Sequence, residues 1–128
     1  MIKDFKQFVG IDVSKLTLDV SVIFDGESCR IEYIQVVNSI KGSMELLIFL
    51  SKKKVRLKNV LFCIEHTGLY GSLIMSSLLK KKADVWFEMP YIIKHSMGIQ
   101  RGKTDKVDSL RIAQYVSRFR DKAQLYKL

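Results

Sequence analysis

The hydrophobic positions of the first third of the chain follow the two-residue period of β-strands. Three strands are predicted, over residues 6–13, 16–23 and 30–37. Asp25 and Gly26 form a strong hairpin signal between the second and third. Polar residues alternate with apolar ones along the second strand, which predicts one solvent-exposed face: Thr17, Asp19 and Ser21. The first strand is apolar on both faces, so we expect it to be central.

The middle of the chain changes to a helical period. Asn38 or Ser39 can cap a helix over 40–53, with a predicted core stripe of Met44, Leu47, Ile48 and Leu50. A strand is predicted over 59–64. After a turn at Thr67 and Gly68, the next helix is predicted to run through Leu69, Leu73, Ile74, Leu78 and Leu79.

The remainder predicts a strand over 83–89, a short helix opened by Pro90, a loop over 98–104 and a last helix beginning near Asp105. Strands that follow helices run parallel to a central strand through crossover connections. We therefore expect an α/β fold with a mixed five-stranded sheet, made of a three-strand antiparallel meander plus two parallel strands. Helices should cover both of its faces, and residues 1–128 should form one domain.

Four carboxylates occupy positions where the pattern predicts core or turn residues: Asp12, Glu65, Asp105 and Asp108. Burying an unpaired charge costs several kcal/mol, comparable with the stability of a small domain. Asp12 lies inside the apolar first strand, on the face of Phe8 and Gly10. Asp105 and Asp108 are three residues apart and extend the stripe of Ile112, Tyr115 or Val116, and Phe119, so that stripe should face the core.

Each acid also has an ordinary structural interpretation. Asp12 could pair with a buried cation, and Glu65 could simply end its strand. Asp105 could be a helix N-cap, and Asp108 a first-turn acid favoured by the helix dipole. Taken together, however, the four can meet at one edge of the sheet. Oxygen ligands without cysteine favour Mg²⁺ or Mn²⁺ over zinc, and two such ions can promote phosphodiester chemistry.

The net charge of +9 is concentrated in a few segments. Residues 90–128 hold nine Lys or Arg against three acids, and further clusters lie at 52–58 and 80–82. Such clustering indicates a polyanionic partner, most commonly nucleic acid, although cations are also favoured at helix C-termini. Two basic side chains of the last segment, Arg101 and Arg111, are candidates for contact with phosphate.

Other residues suggest no further chemistry. Cys29 and Cys63 form no CxxC pair and are expected to be buried thiols in a reducing compartment. His66 should point away from Glu65, and His95 has no evident partner. No signal peptide or membrane-spanning segment is predicted, so we expect a cytoplasmic protein.

Three sequence blocks resemble the signature motifs of DEDD-type insertion-sequence transposases, the IS110 group related to the Piv invertase. They cover residues 9–15, 64–70 and 102–109, and the resemblance extends from about residue 7 to 120. It implies a RuvC-like, ribonuclease H-type fold. It also implies that Asp12, Glu65, Asp105 and Asp108 form the catalytic tetrad that binds Mg²⁺ or Mn²⁺.

The resemblance further implies that Lys15, Lys103 and Lys106 occupy basic motif positions suited to phosphate contact. The function it implies is the metal-dependent catalytic domain of a DNA transposase or site-specific recombinase, in a bacterial or archaeal cell. Family members are longer, with a C-terminal domain that carries a serine nucleophile. We therefore expect this chain to be a truncated piece, inactive alone, that belongs to a homo-oligomer with a structured guide RNA as a possible partner.

Three other interpretations stay open at this point. One is a self-sufficient RuvC-type junction-resolving nuclease, and another is a basic nucleic-acid-binding module without catalysis. The third is a lobe of an actin-like sugar kinase, because Gly10-Ile11-Asp12 resembles the phosphate-loop strand of that superfamily. Ser14 stands where that loop requires glycine, which argues against the kinase.

Overall fold

The computed structural model describes residues 4–26, 30–65, 69–97 and 105–126, with only the backbone of Tyr91, His95, Ser96, Met97 and Asp105. Its strands are Gln7–Val13 (β1), Thr17–Phe24 (β2), Ile31–Val37 (β3), Val60–Glu65 (β4) and Asp84–Glu88 (β5). Its helices are Ile40–Lys52 (α1), Ser72–Lys80 (α2), Pro90–Met97 (α3) and Asp105–Arg118 (α4). The order and type of the predicted elements are thus confirmed.

The five strands form one mixed sheet in the order β3-β2-β1-β4-β5. β2 pairs antiparallel with both β1 and β3, while β4 pairs parallel with both β1 and β5. β1, which is mainly apolar on both faces, is therefore the central strand, as its sequence predicts. Because β1, β4 and β5 are parallel, their carboxyl ends meet at one edge of the sheet and their amino ends at the opposite edge.

A hydrophobic core lies on each face of the sheet. On one face, α1 and α2 pack on the odd-numbered residues of β1, burying among others Val9, Ile11 and Leu46. On the other face α4 packs on the even-numbered residues, so that Phe8 shares a core with Ile112. The sheet is thus covered by helices on both faces, because each side of β1 is apolar.

The predicted core stripe of α1 is partly wrong. Met44 and Ile48 are 57% and 51% exposed, whereas Leu46 and Leu50 are fully buried. A Cβ atom on Gly42 would lie 1.7 Å from the carbonyl oxygen of Val37, so the helix contacts β3 along its glycine side. This close approach rotates Met44 and Ile48 towards solvent.

Two further details differ from the sequence prediction. In the second helical region Ile74 and Leu78 are buried, but Leu73 is 42% exposed and Leu69, in a preceding single turn, is 87% exposed. The predicted solvent-exposed face of β2 is also wrong, because Asp19 and Ser21 are each only 1% exposed. Helix α4 covers that face.

Several predictions lie outside the described residues. They concern Cys29, the motif residues His66 to Gly68, and the loop over 98–104. Cys63 is a buried free thiol, as predicted. Among the helices that the structure describes, we find none with the length and apolar character needed to cross a membrane.

Candidate metal centre

Four acidic side chains form a row across the sheet near the carboxyl end of β1. Asp12 pairs with Asp19 of β2, and Glu65 pairs with Glu88 of β5. Ile11 lies beside Ile64 in the β1–β4 pairing, so Asp12 and Glu65 are lateral neighbours one residue further on. Aligned residues on adjacent strands point to the same face and lie about 5 Å apart. We call Asp19, Asp12, Glu65 and Glu88 the carboxylate row.

Three of these carboxylates are nearly inaccessible to solvent. Asp12, Asp19 and Glu65 are 3%, 1% and 6% exposed. Like charges buried side by side repel one another strongly, since little water screens them. A row of this kind therefore favours any cation that reaches it.

Asp19 is held in place from the neighbouring strand. Its Oδ1 accepts hydrogen bonds from the Tyr33 hydroxyl and, at 3.0 Å, from Nε2 of Gln35. Its Oδ2 is buried and has no hydrogen-bond partner among the described residues. One oxygen of Asp19 is thus used to orient the carboxylate, and the other is left to interact with a cation or a water molecule.

At the other end of the row, Glu88 has structural partners for both of its oxygens. The Tyr115 hydroxyl of α4 donates to Oε2 at 2.9 Å, and the Met89 amide donates to Oε1 at 3.0 Å. Burial raises the pKa of the Cys63 thiol well above its ordinary value, and the charges of Glu88 and Glu65 raise this pKa further. Cys63 therefore stays a neutral thiol and is no candidate nucleophile.

Helix α4 lies directly on β1 because of one glycine. A Cβ atom on Gly10 would lie 2.3 Å from the backbone nitrogen of Ala113 and 2.4 Å from the carbonyl oxygen of Ser109. The Ser109 and Ser21 hydroxyls are 2.7 Å apart in a buried hydrogen bond. These two contacts set the position of the first turns of α4 over β1 and β2.

This position brings Asp108 to the end of the sheet that carries the row. Asp108 is 6% exposed and immediately precedes Ser109. From there α4 runs away from the row, and Arg120, just beyond its end, lies over the Phe8 ring. The predicted inward stripe is confirmed for Asp108, Ile112, Tyr115 and Val116, which are all buried. Asp105 is the first residue of α4, and its side chain lies outside the description.

Two predicted phosphate contacts lie at the rim of this edge. Lys15 is exposed in the turn after β1, and Lys106 is exposed in the first turn of α4. The Lys106 Nζ lies 5.0 Å from the centroid of the Tyr33 ring, whose hydroxyl binds Asp19. Arg111 is half-buried further along α4, while Arg101 and Lys103 lie outside the described residues.

Asn38 connects the two chain segments that leave the sheet at this edge. Its Nδ2 donates to the Ser14 carbonyl at 2.9 Å and to the Tyr70 carbonyl at 2.8 Å. Ser39, rather than Asn38, is the helix N-cap, with its Oγ accepting from the Gly42 amide at 3.0 Å. The bonds made by Asn38 keep the turn after β1 close to the segment after β4.

The donor set fits a hard divalent cation in its chemistry and in its placement on the backbone. Carboxylate oxygens are the ligands that Mg²⁺ and Mn²⁺ prefer. Within the described ranges, however, no three His, Cys, Asp or Glu side chains converge closely enough to hold one ion. A cation would therefore have to draw Asp12, Glu65 and Asp108 together by rotation of their side chains, with Asp105 as a fourth candidate.

Sequence reasoning missed Asp19 and Glu88 as members of the row. The short connection over 14–16 is the signal for Asp19, because an antiparallel hairpin closed there pairs Val13 with Leu18 and hence Asp12 with Asp19. Glu88 ends its strand level with Glu65, which becomes visible only when the β4–β5 register is known.

Comparisons with known proteins agree with this architecture. A family model for IS110-type DEDD transposases, described as Transposase, matches residues 9–127. No curated protein matches the chain in sequence.

Two solved structures of a Thermus thermophilus protein share the fold. RuvC in complex with a Holliday junction substrate has a TM-score of 0.63 at 13% identity. A second RuvC structure has a TM-score of 0.60 at 14% identity. Each alignment covers 94% of this chain and 99% of the other. These likenesses show a RuvC-like, ribonuclease H-type fold.

Proposed function

Since the chain belongs to the IS110-type family of DEDD transposases, we propose that it is the metal-dependent catalytic domain that acts on DNA phosphodiester bonds during transposition. The observation that carries this proposal is the burial of Asp12 and Glu65 side by side, with Asp108 brought to the same end of the sheet. We further propose that residues 1–128 form this single domain.

In this proposal Asp12, Glu65, Asp105 and Asp108 hold the cation, which is Mg²⁺ or Mn²⁺. When bound, the cation supplies Lewis-acid stabilisation of the charge that develops on the phosphodiester. The chain's own groups position the ligands. The close contact at Gly10 keeps α4 against the strands, and the Tyr33 and Gln35 bonds orient Asp19.

The exposed cations at the rim would attract and orient DNA. Lys15 and Lys106 flank the carboxylate row, where ammonium groups can contact phosphate oxygens on either side of the reacting bond. We include Arg101, Lys103 and Arg111 in this DNA-contacting set on the basis of their sequence positions. The guide RNA and the homo-oligomer stay predictions.

Calorimetric titration with Mn²⁺ tests the metal site. Asp12→Asn and Asp108→Asn each remove one anionic ligand, and we expect each to weaken Mn²⁺ binding at least about tenfold, which corresponds to ~1.4 kcal/mol. Asp121→Asn is the matched control, because Asp121 is exposed in the single turn beyond α4. Unchanged affinity in Asp12→Asn and Asp108→Asn would refute the proposed site.

Nucleic-acid assays separate this function from its two rivals. Cleavage of branched DNA by this chain alone would favour a junction-resolving nuclease. A non-catalytic binding module would instead bind DNA with steep salt dependence and be indifferent to Asp12→Asn in every assay. The proposed catalytic domain predicts that Mn²⁺ strengthens DNA binding by the parent chain and not by Asp12→Asn.

A further inference from the structure

Two lysine triplets, residues 52–54 and 80–82, lie at the edge of the sheet opposite the carboxylate row. Helix α1 ends in Lys52 and leads into the amino end of β4, and α2 ends in Lys80 and leads into the amino end of β5. Because β4 and β5 are parallel neighbours, the two helix ends come to the same edge. We call this the basic edge, and its exposed cations are Lys52, Lys54, Arg56, Lys58, Lys80, Lys81 and Lys82.

The two triplets end their helices in the same way. Lys54 and Lys82 have positive φ angles of 63° and 59°, in the left-handed region that favours glycine. In each case the backbone amide of the next residue donates a hydrogen bond to a carbonyl of the helix. The Val55 amide donates to the Leu50 carbonyl and the Ala83 amide to the Leu78 carbonyl, both at 3.0 Å. Each helix thus places a lysine at the position where glycine is least strained.

The helix dipole accounts for only part of this arrangement. It favours cations in the last turn, which explains Lys52 and Lys80. It does not explain why Lys54 and Lys82 occupy left-handed positions, where a side chain is strained. Because glycine would be less strained at both positions, the stability of the helix ends does not account for these two lysines.

A cavity at the same edge has the chemistry of a phosphate site. Its volume is about 390 Å³, and it is lined by Gln7, Phe24, Arg30, Lys52, Lys53 and Lys54. The Arg30 guanidinium lies 3.9 Å from the centroid of the Phe24 ring, and Glu32 pairs with both Arg30, at 3.9 Å, and Lys53, at 3.3 Å. Lys52 and Lys54 are the exposed cations of this cavity.

We propose that the basic edge is a second DNA-binding surface, which holds the phosphodiester backbone of duplex DNA in the cavity and along the two lysine triplets. Gln7 and Asp12 are five residues apart on β1, so this surface lies about 17 Å from the carboxylate row at ~3.3 Å per residue. Phosphates bound here are therefore distinct from the phosphate that would react at the row. This goes beyond the proposed catalytic function, because binding at the basic edge needs no metal.

Replacing Lys54 and Lys82 with glycine tests whether these lysines bind DNA or stabilise the ends of their helices. The double variant Lys54→Gly/Lys82→Gly removes two charges and leaves the backbone less strained, so its melting temperature is expected to equal or exceed that of the parent. By fluorescence anisotropy with a labelled duplex DNA, its affinity is expected to fall about tenfold near 0.1 M salt. The slope of log K against log salt is expected to become shallower by about one to two.

Lys54→Arg/Lys82→Arg is the matched control, because it keeps both positive charges at the same two backbone positions. We expect its affinity to change less than about twofold, since the contacts of a cation with phosphate are preserved. Equal weakening in both double variants, or no weakening in either, would overturn the proposal.

The same assay run in metal-free buffer with Asp12→Asn keeps this inference separate from the proposed catalytic function. The salt slope of Asp12→Asn should match that of the parent, and Lys54→Gly/Lys82→Gly should still bind Mn²⁺ normally in the calorimetric titration. A slope that becomes shallower in Lys15→Gln/Lys106→Gln and stays unchanged in Lys54→Gly/Lys82→Gly would assign the phosphate contacts to the carboxylate edge and overturn the basic edge. If the chain failed to bind Mn²⁺, the proposed catalytic function would be refuted, but a loss of DNA affinity in Lys54→Gly/Lys82→Gly would still support binding at the basic edge.

Discussion

At the residue scale, burial changes what a polar side chain does. Asp19 belongs to an alternating strand whose polar face would ordinarily be solvated, yet it is 1% exposed because α4 packs over it. Its carboxylate faces that of Asp12 across the β1–β2 pairing. A residue that looks like ordinary surface in the sequence is therefore part of the candidate site.

Gly10 lies in close backbone contact with α4, and we expect its replacement to lower the unfolding free energy. In Gly10→Ala the new Cβ would meet backbone atoms of Ala113 and Ser109 within 2.4 Å. Backbone atoms cannot move aside as a flexible side chain can, so we expect a loss of about 3 kcal/mol or more of unfolding free energy. Urea unfolding measures this loss.

Gly71→Ala is the control for this prediction. Its Cβ would find only side-chain atoms of Ile64 and Phe87, each 3.9 Å away, so we expect a change within about 0.5 kcal/mol. Similar losses in both variants would mean that glycine flexibility, rather than the contact with α4, sets the cost. A Gly10→Ala protein that remains folded should also bind Mn²⁺ more weakly, because Asp108 moves with α4.

At the scale of elements, pairwise contacts decide how each helix is rotated. The period of α1 allows Met44 and Ile48 to face the core, but contact of Gly42 with Val37 turns them outward. The far end of α4 is held in a comparable way, since Arg120 lies over Phe8 and forms a two-pronged ion pair with Asp25 in the turn after β2.

This ion pair predicts a specific pH dependence of stability. The hydrogen bond from Arg120 lowers the pKa of Asp25 below its ordinary value of 3.8. A carboxylate with a lowered pKa in the folded state stabilises the fold above pH 3.8 and loses that contribution as the pH falls through the lowered pKa. Because both partners are partly exposed, we expect Asp25→Asn to cost only about 0.5 kcal/mol at neutral pH.

The measurement is urea unfolding of Asp25→Asn and the parent chain at neutral pH and near pH 2. The difference between the two proteins should shrink at the lower pH, because protonation of Asp25 removes the charge that pairs with Arg120. A difference that stays constant over this range would show that the substitution acts through turn geometry instead of the charge.

At the scale of the whole molecule, buried carboxylates lie at one edge of the sheet and the lysine triplets at the other. The carboxylate row lies at the carboxyl ends of β1, β4 and β5 and on the adjoining part of β2, and the lysine triplets lie next to the amino ends of β4 and β5. A cation and a polyanion can therefore bind at opposite ends of one rigid sheet. Because the two sites lie more than ~10 Å apart without shared residues, their effects on stability should add.

Binding of Mn²⁺ should accordingly stabilise the fold through linkage alone. At a concentration of 100 times Kd, a ligand that binds only the folded chain adds about 2.7 kcal/mol to the unfolding free energy. We expect this gain in the parent chain and in Lys54→Gly/Lys82→Gly, measured by urea unfolding with and without Mn²⁺. A gain of the same size in Asp12→Asn would place the stabilising ion elsewhere on the chain.

The sequence by itself determined the order and type of the elements, the central position of β1 and the burial of Asp12 and Asp108. These features depend on the local periodicity and apolar character of each segment. Both can be read from a short stretch of sequence without knowledge of the fold. It also pointed to the metal-ligand candidates, because an acid within an apolar stripe is costly wherever that stripe is buried.

The tertiary structure alone decided that Asp19 and Glu88 align with Asp12 and Glu65, that α1 turns Met44 outward, and that both lysine triplets meet at one edge. Each of these depends on strand register or on helix rotation. Register and rotation are set by contacts between residues far apart in sequence, such as Gly10 with Ala113. A local pattern does not contain that information, because its period is satisfied equally well by more than one rotation and more than one register.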